Sequence, residues 1–495
     1  MVSATHDECQ PARVPIPVGN GVPELEDSSG EQIQEDHKRE AYIQTPEAKS
    51  DEFLCFLPHF IRLHGPQAED HDGQGQHAKD AEHCGVRVIG GERRAYLEVG
   101  DDRHVDQETE DTRADKVPDA HGHEEIDGPL LAPGHVLVDL EAITITGESR
   151  GRMNQLEIMP KNATAIAKFV RTLKAINPQA LFVFQLTHAG ELSNPAFSRR
   201  VTAKNLPGYE GELLSDEEVD RIMDEFVLAS QIAHDAGADG IDMKFCHGYL
   251  GNQILRPYND RKWKYGGSWG NRSRFAYDLY ERIQKAVNDP NFIIGSKVSL
   301  WEGFPGGFGS ASPDSPVMDM TEPIDFIKNL EARGAAYFVE TIGNPTITIS
   351  YVEADRNHEY MTFMHAYFAN LLKKTCKPET VIIGSHFAPF RDGKSTRLGA
   401  MNPRDTALFA YAAKCIHDGV MDMVGLGRQS LADPLTPQKL IDGKENEINY
   451  CSSCLNCLEL MIRQEHIGCA TFNKRYTETF VTMRKRLGKV GAMHT

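Results

Sequence analysis

From about Gly134 the apolar residues recur in two alternating rhythms. Short runs of strand length stand at Val136 to Ile145, Leu181 to Leu186, Gly240 to Met243, Ile293 to Leu300, Tyr337 to Glu340, Val381 to Ile383 and Met423 to Gly425. Between them lie longer stretches with helical spacing: Lys161 to Ile176, Glu217 to Ala236, Arg274 to Val287, Pro323 to Arg333, His365 to Thr375 and Asp405 to Asp418. Ser215 with Glu218 three residues on is an N-cap signature for the second of these helices. Repeated strand-helix units of this size predict a parallel sheet wrapped by helices. No Gly-x-Gly-x-x-Gly follows any of the strands, which removes the fingerprint of a doubly wound dinucleotide-binding sheet. The expected fold is therefore an α/β TIM (β/α)8 barrel. Seven strands can be named from Val136 onward and a closed barrel needs eight, so the usual first strand is expected to be missing or to lie upstream.

Upstream the texture is different. Residues 1–133 are polar and rich in His, Asp, Glu, Gly and Gln, with only short apolar pieces such as Phe53 to Leu57. Such a segment buries too little apolar surface to offset the entropy of ordering, and it is expected to be disordered. Its histidines are scattered without paired ligand spacing, so they predict no metal site. Three regions result: a low-order polar region at 1–133, a barrel at 134–445, and a segment at 446–495 that carries a cysteine cluster and a helical tail.

Composition narrows the function classes. With 40% apolar and 25% charged residues the chain can bury a sizeable core. A formal charge of -19 would repel a polyphosphate backbone, which excludes nucleic acid as the expected partner. No apolar run approaches the ~20 residues of a membrane span. The start has Asp7 and Glu8 and no apolar stretch of signal-peptide type, so a cytoplasmic protein is expected. Four of the ten cysteines crowd into Cys451, Cys454, Cys457 and Cys469. In a reducing compartment that spacing suggests metal, and ligation chemistry alone allows zinc or [4Fe-4S].

In a barrel of this kind chemistry sits at the C-terminal ends of the strands. The richest such stretch runs Asp242-Met243-Lys244-Phe245-Cys246-His247-Gly248-Tyr249-Leu250, followed by Tyr265-Gly266-Gly267-Ser268 and Asn271-Arg272-Ser273-Arg274-Phe275. A second pattern is Gln185-Leu186-Thr187-His188-Ala189-Gly190-Glu191, and a third is Gly425-Leu426-Gly427-Arg428 after the last strand. Together these resemble the Old Yellow Enzyme or NADH:flavin oxidoreductase family, an FMN-dependent group of (β/α)8 reductases.

The resemblance implies roles residue by residue. Lys244 and His247 fall on the pair that holds the substrate carbonyl oxygen, with Lys244 standing where the family has His. Tyr249 falls on the proton donor to the substrate carbon. Gln185 falls on the contact to the flavin pyrimidine edge. Lys297 stands where the family has an Arg beside flavin N1, which keeps the charge and loses the bidentate fork. Gly384, Ser385, Gly427 and Arg428 fall on the phosphate site. Glu191 replaces the Arg that ends the family's pattern.

The cysteine cluster resembles that of the 2,4-dienoyl-CoA reductase and trimethylamine dehydrogenase branch, where it ligates [4Fe-4S]. That branch's further dinucleotide-binding domain is not expected in the residues after Cys469, so a separate protein could serve as electron donor. The implied activity is hydride transfer from NAD(P)H through FMN to an α,β-unsaturated carbonyl compound. Two other readings fit the residues: an incomplete, non-catalytic barrel that lacks its first β-α unit, and an amine-dehydrogenase-like flavoprotein, against which the charge of Lys244 argues.

Overall fold

The computed structural model describes residues 137–355, 357–394 and 406–487. All of these belong to one compact unit that spans residues 75–495. The polar region at 1–133 lies outside the described residues.

Seven parallel strands form the central sheet in sequential order. They are β1 (Leu137–Thr144), β2 (Leu181–Thr187), β3 (Gly240–Phe245), β4 (Ile293–Ser299), β5 (Tyr337–Thr341), β6 (Val381–Gly384) and β7 (Met423–Val424). Each of the predicted runs supplies one of them. Six helices connect consecutive strands: α1 (Ala163–Ile176), α2 (Asp216–Asp235), α3 (Arg274–Val287), α4 (Thr321–Ala332), α5 (Met361–Thr375) and α6 (Leu408–His417). Two more, α7 (Asn456–Ile462) and α8 (Lys474–Arg486), follow the last strand. Among the described residues β1 and β7 are the two edges of the sheet and do not pair with each other. The sheet nevertheless curls: Leu137 of β1 and Met423 of β7 both pack against the same small interior cluster of Tyr337, Val339 and Ile383. This is the wall of a (β/α)8 barrel with one stave absent from the described sheet.

Helix α5 begins at Met361, four residues before the predicted start. Its buried face runs Met361, His365, Phe368, Ala369 and Leu372, so the helical period extends back to Met361 and includes a histidine that a purely apolar count passes over. The layer between sheet and helices is aromatic. Phe326 of α4 is fully buried and meets Phe245, Phe308 and Trp269 edge-on, with Tyr277 stacked beside it. Because residues alternate faces along a strand, Phe245 and Met243 belong to this outer layer, while Asp242 and Lys244 face the barrel interior.

Helix α2 starts with the predicted capping box. The Ser215 hydroxyl accepts from the Glu218 N–H at 3.2 Å, and the Glu218 carboxylate accepts from the Ser215 N–H at 2.9 Å. Replacing Ser215 by Ala leaves one N–H of the first turn without its acceptor, and equilibrium urea unfolding should read a loss of about 1 kcal/mol. An unchanged unfolding midpoint would show that the box is dispensable.

Candidate functional site

The interior wall of the sheet carries charge at its upper end. In register across β2, β3 and β4 stand Gln185 opposite Asp242 and Lys244 opposite Lys297. The Gln185 amide donates to Asp139 of β1 at 3.2 Å, and the Lys297 backbone N–H donates to Asp242 at 3.2 Å. Burial pushes the Asp139 carboxyl well above its usual range, with the neighbouring Asp242 adding to it. Burial also raises Asp242, to about 7, against the pull of Lys297. The two acids therefore retain a proton between them near neutral pH. One oxygen of Asp139 is buried without a hydrogen-bond partner, and the Tyr337 hydroxyl of β5 lies against Asp242; the Asp139 oxygen is open to a polar ligand edge or to water.

Just beyond β3 the chain makes a sharp turn. His247 (φ 60°) and Gly248 (φ 72°) are both left-handed, which costs the non-glycine residue conformational energy. The His247 N–H donates to the Ser299 hydroxyl at 3.2 Å, and its Nε2 lies 3.0 Å from the Thr341 hydroxyl. Burial, reinforced by Lys297 and Lys244, holds its pKa well below the ordinary histidine value, so the imidazole is neutral. Tyr249 then caps the short helix Leu250–Leu255. The Lys244 ammonium sits 3.7 Å from the centre of the Tyr249 ring, a close cation–π contact. The structure thus brings Lys244, His247, Tyr249 and Lys297 to one mouth.

Beneath this turn lies an ion cluster. Arg256 donates to Glu191 at 2.8 Å and holds Glu302 in a two-pronged pair at 2.8 and 2.9 Å. Asn344 donates to Glu302 at 3.1 Å, and the Phe308 N–H donates to the same carboxylate at 2.9 Å. All three charged side chains are essentially inaccessible. A Cβ on Gly248 would come within 2.6 Å of the Asn344 amide nitrogen, so the turn rests directly on the cluster. Glu191, the departure from the family pattern, is therefore the partner of Arg256. Sequence reasoning noted Glu191 but could not pair it, since Arg256 lies 65 residues away and Glu302 a further 46.

The expected phosphate residues gather where β6 and β7 end. The Gly425 N–H donates to the Gly384 carbonyl at 2.7 Å, and the space beside Gly427 is open. The Ser385 hydroxyl donates to the Glu340 carbonyl at 2.9 Å. Arg428 donates to the Ala354 carbonyl at 3.0 Å and pairs with Glu353 at 3.3 Å. Two of the expected phosphate ligands are thus held by acceptors of the chain itself.

Next to them His386 (φ 77°) stacks flat on His365 at 4.1 Å and accepts from the Ala354 N–H at 3.2 Å. Burial, with His365 beside it, holds His386 neutral. His365 places Nε2 on the Tyr351 carbonyl at 2.8 Å and Nδ1 on Glu340 at 3.0 Å. A carbonyl only accepts, so Nε2 carries a hydrogen. His188 is also buried and neutral, its pKa driven by burial to about 3, and its Nδ1 accepts from the Gly190 N–H.

The cysteine loop is tied to the phosphate region through Gln429, whose side chain accepts from the Cys451 N–H at 2.9 Å and donates to the Asn449 carbonyl at 3.1 Å. Ser453 and Leu455 are both left-handed, which bends the backbone sharply between Cys451 and Cys457. Burial raises Cys451 and lifts Cys457 to about 12. Burial opposes ionisation of Cys454 too, but hydrogen bonds from Ser452, Thr471 and the Asn456 N–H outweigh it and bring that thiol below its ordinary value. Cys451 feels Cys454 and Cys469, and Cys457 feels Cys451 and Cys454, so the four sulfurs share one neighbourhood. Among the described residues no three His, Cys, Asp or Glu side chains are drawn closely enough to hold a metal ion.

Replacing Arg256 by Met leaves Glu191 and Glu302 buried without their counter-charge, and denaturant unfolding should read a loss of about 3–5 kcal/mol. Arg256→Lys keeps the charge and should recover part of it. Equal losses in the two variants would assign the effect to shape and not to charge.

Against known proteins, residues 132–447, well over half of the chain, match the model of the NADH:flavin oxidoreductase / NADH oxidase family. The chain is 27% identical over 303 residues to an NADH oxidase of Thermoanaerobacter brockii, covering 59% of this chain and 41% of that protein. It is 27% identical over 286 residues to a multifunctional alkene reductase/demethylase of Caballeronia cordobensis, covering 56% of this chain and 37% of the other. It thus spans less than half the length of these curated relatives. A 2-naphthoyl-CoA reductase complex shares the fold, with a TM-score of 0.55 at 19% identity over 70% of this chain and 50% of that one. No helix among the described residues is long and apolar enough to cross a membrane. The strand-end motifs, the curled parallel sheet and the family match agree, and the chain belongs to the NADH:flavin oxidoreductase / NADH oxidase family.

Proposed function

We propose that this protein is an FMN-dependent reductase of the ene-reductase type, taking electrons from NAD(P)H and reducing an α,β-unsaturated carbonyl compound. The observation that carries this reading is the meeting of Lys244, His247 and Tyr249 at the end of β3, beside Lys297.

The residues fit the cofactor. Gln185, Asp139 and Asp242 would offer donors and acceptors to the pyrimidine edge of the flavin, and Lys297 would supply positive charge beside it. Gly384, Ser385, Gly427 and Arg428 would hold the phosphate, with the Arg428 guanidinium, now paired with Glu353, as its counter-charge. When bound, FMN supplies two-electron hydride chemistry between the nicotinamide and the substrate. The chain's own part is to position and protonate. Lys244 and His247 hold the carbonyl oxygen as negative charge develops on it, and the Tyr249 hydroxyl gives a proton to the α-carbon. A neutral His247 suits this task, because it donates a hydrogen bond without losing its proton. An amine substrate is disfavoured, since it would bring a cation to a mouth that already holds two ammonium groups.

For the cysteine segment we propose a [4Fe-4S] cluster on Cys451, Cys454, Cys457 and Cys469. Its support is the sharply bent loop, the shared neighbourhood of the four sulfurs and the hydrogen bonds offered to Cys454. A separate electron-donor protein would then have an entry point at this segment.

Two measurements test these readings. Tyr249→Phe in the FMN-loaded protein should leave bleaching of the flavin by NAD(P)H unchanged and slow its reoxidation by an alkene substrate about 100-fold or more. Reoxidation at the full rate would remove Tyr249 from the mechanism. Anaerobic reconstitution with iron and sulfide should give about four irons per chain, lost in Cys457→Ser. Uptake of zinc in place of iron would replace the assignment.

A further inference from the structure

A strap in the loop after β5, residues 349–354, crosses the ends of β6 and β7 and is gripped through its backbone. His365 of α5 donates from Nε2 to the Tyr351 carbonyl at 2.8 Å. The Glu353 N–H donates to the Ile349 carbonyl at 2.7 Å, and the Ala354 N–H donates to His386 Nε2 at 3.2 Å. Arg428 closes the strap, its Nη1 donating to the Ala354 carbonyl at 3.0 Å. With the backbone fixed on both sides of it, the Glu353 side chain reaches the same guanidinium, where its Oε2 lies 3.3 Å from Nε. One arginine of the expected phosphate site thus has a neutral partner and a negative one, both supplied by neighbouring residues of a single loop.

The two partners differ in what they do for a bound anion. The Ala354 carbonyl aims the guanidinium and keeps its bond when an anion arrives. The Glu353 carboxylate competes with that anion for the same donors and repels it while both are near. The pair is also a loose one. Arg256 holds Glu302 with two short bonds and no access to water, whereas Arg428 and Glu353 share one longer contact, with 13% and 27% of their side chains exposed. A single-point pair that water still reaches is easily exchanged.

We propose that Glu353 is a built-in competitor for the Arg428 guanidinium and sets how tightly this protein takes the phosphate of its flavin. This rests on the reading of Gly384, Ser385, Gly427 and Arg428 as the phosphate site. A phosphate brings up to two negative charges and three acceptor oxygens, against one charge and two oxygens on Glu353, so it takes the guanidinium from the carboxylate. The displaced carboxylate turns to the solvent that it already touches. The strap stays in place, because its bonds to His365, His386 and Arg428 run through the backbone. The flavin therefore gains only the difference between the two pairings, and a flavin without a phosphate is indifferent to Glu353.

The test is equilibrium binding of FMN and of riboflavin to the full chain, read by quenching of flavin fluorescence. Glu353→Gln keeps the shape and removes the charge, and it should tighten FMN about 3- to 10-fold while riboflavin affinity stays the same. Glu353→Ala, which cannot hold the guanidinium at all, should do the same. Arg428→Met should bring FMN down toward the affinity of riboflavin, and adding Glu353→Gln to it should then change nothing. FMN binding that is unchanged or weaker in both Glu353 variants overturns the proposal, and weaker binding would make Glu353 a residue that positions Arg428. Equal shifts for the two flavins also overturn it, since they would place the effect outside the phosphate. A preference for FMN over riboflavin that survives Arg428→Met removes the phosphate-site reading together with the proposal.

Discussion

One guanidinium organises the C-terminal end of this sheet. Arg256 belongs to the loop after β3, Glu191 to the loop after β2, Glu302 to the loop after β4, and Asn344, which donates to Glu302, to the loop after β5. Four consecutive strand-end loops are thus tied to a single planar group whose charge is satisfied without water. A buried ion cluster of this kind gives little net stability over an apolar core, but it has few alternative arrangements. The left-handed turn at His247 and Gly248 lies on top of it. The strain of that turn is tolerated because the packing and hydrogen bonds around it leave His247 no better conformation.

Above the cluster the interior is polarised by alternation along the strands. Every second residue of β3 and β4 faces inward, and there Asp242, Lys244 and Lys297 meet Gln185 and Asp139 from β2 and β1. Burial shifts these groups toward their neutral forms: His247 and His386 stay unprotonated, while the acids retain a proton. The pair of lysines stands beside them at the mouth. The overall charge of -19 says little about this mouth, where two lysines stand in register, and local placement, more than the sum, sets which ligands are favoured.

The cysteine segment is attached to this arrangement at its far side. The short helix that carries Arg428 also carries Gln429, whose side chain accepts from the Cys451 N–H. Glu353 pairs with Arg428 and also lies close enough to Cys457 to disfavour its thiolate. The expected phosphate site and the cysteine loop therefore share residues, and a change in one is felt electrostatically in the other.

Much of this was written in the chain. The seven strand runs and the six connecting helices follow from periodicities of two and 3.6 residues, and the Ser215 cap from a Ser with a Glu three residues on; all are local properties that a segment carries with it. The motif around Lys244, His247 and Tyr249 was also legible, because a strand end and the loop after it are contiguous in sequence. What the sequence could not decide was the pairing of charges. That Glu191 meets Arg256, that His365 meets Glu340, that Arg428 is held by Glu353, and that Lys244 and Lys297 stand side by side all depend on how distant segments register in the curled sheet. Charge pairing is a property of distances in space, and only the tertiary structure sets those distances.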